Sequence, residues 1–246
     1  MMEKIPRIIH YCWFGGGEKP ELMKQCIRSW EEHLPHYELK QWDESNVDVT
    51  CNAYVHEAYQ AKKYAFVSDY FRMYALYTEG GVYLDTDVEV YQSFDRFLHY
   101  PSFWGFEEGN YIATSTIGAS KGHPLIQYFL ESYQSNHFIN DDGTFNEWTN
   151  VAAITEEMKK KGVICNGQKQ VIEDLGVIFE QAIFSPYDYI NCRDLQSDET
   201  VTKHHFYQSW LPPHVLVKRI VKRNIVKLIG GEKLANLRKK FSGVRS

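Results

Sequence analysis

Residues 68–87 read SDYFRMYALYTEGGVYLDTD. The stretch begins with aromatic and apolar residues at helical spacing and stops at Gly80-Gly81, a left-handed C-cap. It resumes as Val82–Val90 (VYLDTDVEV), where polar and apolar residues alternate strictly, the signature of a strand. Alternation puts Tyr83, Asp85, Asp87 and Glu89 on one face, and Val82, Leu84, Thr86, Val88 and Val90 on the other. Residues i and i+2 of an extended chain are about 7 Å apart along the backbone, so Asp85 and Asp87 aim both carboxylates at one small volume. Anions that close repel unless a cation sits between them. Carboxylate oxygens suit Mg²⁺ or Mn²⁺, which commonly take substrate phosphates as further ligands. The segment therefore predicts a metal holding a phosphorylated substrate at the end of a strand.

Working outward, Ile5–Trp13 (IPRIIHYCW) reads as a buried first strand running into the loop Gly15-Gly16-Gly17. Pro20–His33 carries Leu22, Cys26, Ile27 and Trp30 at helical spacing, Pro35 breaks the chain, and Tyr37–Trp42 alternates as a second strand. Strand–helix–strand within 42 residues is the mark of a parallel α/β sheet. Glu57–Glu79 reads as one long helix kinked near Tyr64, with Asp69 and Arg72 on a shared face. Further on, Phe103–Phe106, Ala113–Ile117 and Gly176–Pro186 read as short strands. Pro124–Tyr133 and Thr149–Lys161 read as helices, Asn140–Asn150 as a loop, and His204–Pro213 as the end of the domain.

The chain has 246 residues, 43% hydrophobic, enough for one substantial core. Its net charge is −5, but from His214 onward ten basic residues face the single acid Glu232, a balance of +9 that leaves −14 for the rest. The expected organisation is an acidic catalytic domain over 1–213 and a basic tail over 214–246. In the tail, Val217, Ile220, Val221, Ile225 and Leu228 fall on one helical face, flanked by Lys218, Arg219, Lys222, Arg223 and Lys227. A basic amphipathic helix reads as an element that lies on an anionic membrane surface; docking on the acidic globule and a nucleic-acid patch are the alternatives. The rest of the chain lacks a basic stretch suited to nucleic acid. Five scattered cysteines (Cys12, Cys26, Cys51, Cys165, Cys192) form neither a disulfide framework nor a zinc site and point to a reducing compartment. No apolar run is long enough to span a bilayer, so the expected location is cytoplasmic, peripheral on the inner face of the cell membrane.

Several side chains have two readings. Asp69 and Arg72, taken alone, make a surface salt bridge; on a buried face they bind hydroxyls and phosphate through charge-assisted hydrogen bonds. Trp13 ends the first strand, where open parallel sheets bind ligands, and is either a core residue or a platform for a base. His204, His205, Gln208, Ser209 and Trp210 either pack in the core or reach the metal and its phosphates, with the Trp210 indole as donor.

The segments IPRIIHYCWFGG, AKKYAFVSDYFRMYALYTEGGVYLDTDVEV, IGASKGHP and HHFYQSW together resemble bacterial glycosyltransferases of family 32, whose sugar-binding region contains a DXD motif. They are similar, more distantly, to the glucosylating domains of large clostridial toxins. The resemblance covers residues 5–125 and 204–210, and weakly 130–200. It implies a GT-A fold, a Rossmann-like mixed sheet flanked by helices, here with a C-terminal helical tail. It also implies a nucleotide-sugar donor, Mn²⁺ or Mg²⁺, and retention of anomeric configuration. By position, Trp13 stacks on the base and Asp69 and Arg72 hold the donor sugar. Asp85 contacts sugar or ribose and the metal's water shell, Asp87 is a direct ligand, and His205 stands where the toxin-like enzymes carry a metal-binding carboxylate. Ser209 and Trp210 face the diphosphate; the hydroxyl residue expected two places before the tryptophan is replaced by Gln208. Ser68, Tyr83 and Asn150 complete the donor-site candidates.

The expected reaction is transfer of a hexose from a nucleotide sugar, such as UDP-galactose, to a saccharide acceptor on a lipid carrier, in synthesis of a capsular or other surface polysaccharide. Without a clear nucleophile, front-face attack by the acceptor hydroxyl is the expected route, with the departing diphosphate as base. A non-catalytic nucleotide-sugar or glycan-binding module is the alternative, and a metal-dependent phosphohydrolase or nucleotidyltransferase a third.

Overall fold

The computed structural model describes residues 3–107, 110–146, 150–188 and 193–207. The β-branched run at the start forms β1 (Ile8–Cys12), and α1 (Glu21–His33) returns the chain to β2 (Glu38–Trp42), parallel to β1 with Ile8 opposite Glu38 and Cys12 opposite Trp42. Helices α2 (Ala53–Gln60) and α3 (Tyr64–Glu79) lead to β3 (Gly81–Leu84), parallel to β1 on its other side. After β4 (Val88–Val90), β5 (Ser102–Gly105) and β6 (Thr116–Ala119) follow, and β6 pairs antiparallel with both β3 and β5. Helices α4 (Pro124–Ser132) and α5 (Asn150–Lys160) precede β7 (Gln170–Ile172), β8 (Gly176–Phe179) and the short α6 (Gln181–Phe184). The seven-stranded sheet has the order β2-β1-β3-β6-β5-β8-β7. Two small pairs complete the fold: β9 (Tyr187–Asp188) with β10 (Arg193–Asp194), and β11 (Thr202–His204) antiparallel to β4. This is the α/β mixed sheet expected of a GT-A fold.

One apolar layer lies on each face of the sheet, and β3 divides its side chains between them. Val82 and Leu84 join Ile9, Trp30, Val88 and Phe103 on the α1 side, while Tyr83 joins Cys12, Phe71 and Ile117 beneath α3. Tyr83, expected on a polar site-facing surface, is therefore core, only 1% exposed. Helix α1 grips β4 through two hydrogen bonds, Trp30 Nε1 to the Val88 carbonyl (2.7 Å) and the Val90 amide to Ser29 Oγ (2.9 Å). Gly118 allows β6 to pass under Phe103, whose ring lies 2.0 Å from where a Cβ would stand.

Four expectations about local structure are corrected. The long helix over 57–79 is two helices, separated by Lys62 in the left-handed region (φ 56°) and beginning earlier, where Asn52 caps the Val55 amide. The continuous strand over 82–90 is broken by a turn, closed by the Val88 amide on the Asp85 carbonyl at 3.0 Å. The expected strand over 176–186 ends at Phe179 and gives way to α6. The strand expected at 113–117 lies at 116–119. Among the described residues no helix is long and apolar enough to cross a membrane. Ser209, Trp210 and the tail over 214–246 lie outside the described residues, as does Cys192; the other four cysteines are free.

Candidate active site

The turn between β3 and β4 brings the two aspartates together. Asp85 is set at the end of β3 by its amide, which donates to the Ser115 carbonyl at 2.9 Å. Asp87 is 8% exposed, and β11 crosses beside it. A ligand oxygen from each aspartate and a ring nitrogen of His204 all lie within 4.8 Å of one another. His204 Nε2 is 3.3 Å from Asp87 Oδ1, and the Tyr207 amide donates to Asp87 Oδ2 at 2.8 Å. Burial alone would raise the Asp87 pKa, but the His204 charge and the Tyr207 amide overcome it and hold the group down at about 2. The converse holds for His204: burial would lower its pKa, yet Asp87, then Asp85 and Glu107, push it up to about 9.

His204 thus occupies the place expected of His205. Neighbouring strand residues point to opposite faces. His204 pairs with Val88, whereas His205 turns to the other side and sets Nε2 2.9 Å from Glu89 Oε2, a carboxylate that also accepts from Tyr91. The His205 amide still meets the corner, donating to the Asp87 carbonyl at 3.0 Å.

Arg72 on α3 forms the floor. Its side chain is 5% exposed, and Nη2 meets Asp85 Oδ1 at 2.8 Å and Asp69 Oδ1 at 3.2 Å. The guanidinium lies 4.7 Å over the Tyr83 ring, which gives that buried ring a place beneath the site. Nε and Nη1 are buried with no hydrogen-bond partner. Burial would lower the Arg72 pKa; Asp85, Tyr83 and Asp69 raise it above its ordinary value. Asp69 is pushed up to about 6 by burial, against the pull of Arg72 and with a further push from Asp85. Asn150, at the start of α5, lies close enough to Asp69 to favour its charge, yet neither polar atom of its buried amide finds a partner of good geometry. Unpaired buried polar atoms are costly and are expected where a ligand completes them.

The remaining candidates are placed less directly. Ser68 donates its hydroxyl to Tyr64 of its own helix at 3.0 Å. Trp13 is half-buried beyond β1, fixed by its indole on the Gly17 carbonyl at 2.7 Å, with the Lys19 ammonium 5.5 Å over its ring. One group escaped the sequence reading altogether. Glu107, in the loop after β5, feels Asp85, Arg72 and His204, and burial lifts its carboxyl to about 7.

The donor set fits a divalent cation: two carboxylates and an imidazole converge, and His204 Nδ1 is buried without a partner. Carboxylate oxygens suit Mg²⁺ and Mn²⁺, and an imidazole adds affinity for transition metals.

The family model described as "Glycosyltransferase sugar-binding region containing DXD motif" matches residues 20–104. Inositol phosphoceramide mannosyltransferase 3 of Schizosaccharomyces pombe is 33% identical over 126 residues, which are 50% of this chain and 35% of that protein. Subversion of eukaryotic traffic protein A of Legionella pneumophila is 27% identical over 177 residues, 58% of this chain and 27% of that protein. The chain thus spans about a third of the length of these curated relatives. Among solved structures, the PaToxG glycosyltransferase superposes with a TM-score of 0.51 at 20% identity, over 64% of this chain and 70% of that one, a likeness of fold.

Proposed function

We propose that the chain is a metal-dependent, retaining hexosyltransferase of family 32 that uses a nucleotide-sugar donor. One observation carries this reading: a three-ligand corner, Asp85, Asp87 and His204, stands beside an arginine with two buried, unpartnered nitrogens. That pairing suits a diphosphate bridged to a cation on one side and to a sugar on the other. The match to a DXD glycosyltransferase family over residues 20–104 supports the same class.

In this reading Asp85, Asp87 and His204 hold Mn²⁺, or Mg²⁺, which supplies Lewis-acid stabilisation of the departing diphosphate. The free nitrogens of Arg72 meet donor oxygens, and Asp69 with Asn150 accepts sugar hydroxyls. Trp13 stacks on the base, and Ser209 and Trp210 face the diphosphate. Ser68 and Tyr83 support the donor indirectly, through α3 and the arginine. The acceptor oxygen attacks the anomeric carbon from the face the diphosphate leaves. The sugar–phosphate bond breaks with its electron pair on the diphosphate, which takes the acceptor's proton. UDP-galactose is the favoured donor. GDP-mannose enters the comparison because mannosyltransferases are among the relatives. The acceptor is a saccharide on a lipid carrier, in surface-polysaccharide synthesis, and the catalytic domain extends to residue 213. The basic balance of 214–246 motivates the lipid part, by holding the chain on an anionic membrane surface.

The test is a thermal-shift panel of UDP and GDP sugars with and without Mn²⁺, followed by product analysis. A true donor at 100 times its Kd adds about 2.7 kcal/mol, visible only with metal. The reading fails if no nucleotide sugar shifts the transition. Binding without turnover would leave the non-catalytic module standing. Co-sedimentation with anionic vesicles, compared between the full chain and residues 1–213, tests the tail; equal partitioning would refute its role.

A further inference from the structure

Glu107 combines a fixed backbone with an uncommitted head group. Its amide donates to the Tyr111 carbonyl at 2.8 Å, and its carbonyl accepts from Asn110 at 3.0 Å. The flanking Phe106 and Ile112 bridge each other, Phe106 is tied to Phe179 of β8, and Ile112 donates to the Thr155 hydroxyl on α5 at 2.9 Å. The loop root is therefore bound to the sheet and to the helix that begins with Asn150. Ala113 donates to the Gly105 carbonyl at the end of β5, and two residues on Ser115 accepts from the Asp85 amide at the end of β3, so Glu107 follows β5 at the same sheet edge as Asp85. It is half-buried there, and among the described residues its carboxylate has no hydrogen bond or ion pair. The carboxylate is thus not tied up in holding the fold together. A half-buried carboxylate without a partner at that edge is available to positive charge or hydroxyl donors that the chain itself does not provide.

We propose that Glu107 is a further catalytic residue: from the loop after β5, at the sheet edge it shares with Asp85, its carboxylate contacts the donor sugar and stabilises the positive charge that develops on the ring as the diphosphate departs. This rests on the glycosyl-transfer reading above. Glu107 itself forms and breaks no covalent bond. The bond lost is anomeric carbon to phosphate oxygen, the bond gained is anomeric carbon to acceptor oxygen, and the proton passes from acceptor to diphosphate. Preorganised charge facing developing charge in a water-poor site is the largest single source of rate enhancement in many enzymes. Burial and Asp85 work to raise the Glu107 pKa, while His204 and Arg72 pull it down; a divalent cation in the corner adds to the pull and favours the carboxylate.

The test uses the full chain carrying Glu107→Gln or Glu107→Ala, with Asp87→Asn for comparison. Calorimetry measures UDP and GDP binding with Mn²⁺. Kinetics measure donor hydrolysis and transfer across UDP-galactose, UDP-glucose, UDP-N-acetylglucosamine and GDP-mannose. Glu107→Gln is expected to keep the Mn²⁺–nucleoside diphosphate Kd within about threefold and to lower kcat about 100-fold or more. Exogenous formate should restore part of the lost turnover to Glu107→Ala, which a merely structural role would not allow. Asp87→Asn should instead lose the Mn²⁺-dependent binding. The proposal is overturned if Glu107→Gln retains kcat within threefold, if it weakens Mn²⁺ binding as Asp87→Asn does, or if Glu107→Ala with formate accumulates a glycosyl formate in place of restored transfer, which would mark the position as a nucleophile's. A wild-type chain that neither binds nor cleaves any of these donors would sink the glycosyl-transfer reading and this proposal with it. A fully active Glu107→Gln would sink this proposal alone.

Discussion

Replacing Arg72 by Met tests the floor of the site without needing a substrate. Methionine keeps an unbranched stem over Tyr83 but removes the charge that Asp69 and Asp85 share at 3.2 and 2.8 Å. Taking one partner from a buried ion pair costs about 3–5 kcal/mol. Asp69 and Asp85 are 17% and 25% exposed, so water relieves them partly and about 3 kcal/mol is the expected loss. For a chain of this size each kcal/mol lowers Tm by about 2–4 °C, so the variant should melt about 6–12 °C lower at pH 7. The loss should also depend on pH. Asp69 already stands at about 6 through burial, with Arg72 pulling it down. Without Arg72 its pKa rises further. A carboxyl whose folded pKa lies above the unfolded one penalises folding at high pH and stops doing so once protonated. The gap between wild type and Arg72→Met should therefore narrow from pH 8 to pH 5, by about 1.4 kcal/mol for every tenfold weakening of Asp69 as an acid. Scanning calorimetry at four pH values, without divalent cations, measures both effects. A Tm loss below 2 °C, or a gap constant across pH, would refute the buried, shared ion pair.

Three further outcomes are expected. Mn²⁺ titration should show His204→Asn losing at least about tenfold in affinity and His205→Asn less than about threefold; wild-type affinity should rise up to about tenfold per pH unit between pH 6 and 9, because His204, pushed up to about 9, must shed its proton to ligate. Gly118→Ala should cost about 1–3 kcal/mol in urea unfolding, since its Cβ would meet the packed Phe103 ring at 2.0 Å. Finally, His10 is fully buried, with Nε2 2.7 Å from the Gly80 carbonyl and Nδ1 accepting from the Trp42 indole, and burial lowers its pKa. A histidine lowered in the fold gives stability that is present above the unfolded pKa of about 6.5 and lost as pH falls through it, by about 1.4 kcal/mol per pH unit. His10→Gln should flatten that part of the acid slope between pH 7 and 5; an unchanged slope would show that His10 takes up its proton without cost.

The helix–glycine–strand order before Asp85 was legible because local residue types decide it, and β1, α1 and β2 were legible for the same reason. Strict alternation over Val82–Val90 was misleading. The pattern is the same whether one strand runs through or two short strands meet at a turn, because both leave Val82, Leu84, Val88 and Val90 on one apolar layer. Only pairing with partners far along the chain distinguishes them: β3 answers to β6, while β4 answers to β11. The same long-range pairing chooses His204 over His205, since two adjacent histidines are equivalent until a register assigns one to each face. Glu107 had no signal at all. A glutamate in a loop after an apolar strand is ordinary, and what sets it apart is the charge brought to it by α3, the β3–β4 turn and β11.

That convergence explains why the site's chemistry exceeds its motif. Among the described residues, Asp69, Asp85, Asp87 and Glu107 gather around Arg72 and His204. With the carboxylates ionised and His204 neutral, as a metal ligand must be, four carboxylates against Arg72 leave a local charge of −3, which one divalent cation reduces to −1. The titration directions follow the same balance. Asp87, which His204 faces directly, is held down at about 2, whereas Asp69 and Glu107, crowded by Asp85 and short of water, are driven up to about 6 and 7. Protons and a metal ion thus act as alternatives in one electrostatic sum, and a ligand that supplies two positive charges should draw both raised carboxyls back to their ionised forms. Two aspartates one residue apart locate the corner; the surplus of anions assembled around them from distant parts of the chain is what makes the corner fit a dication.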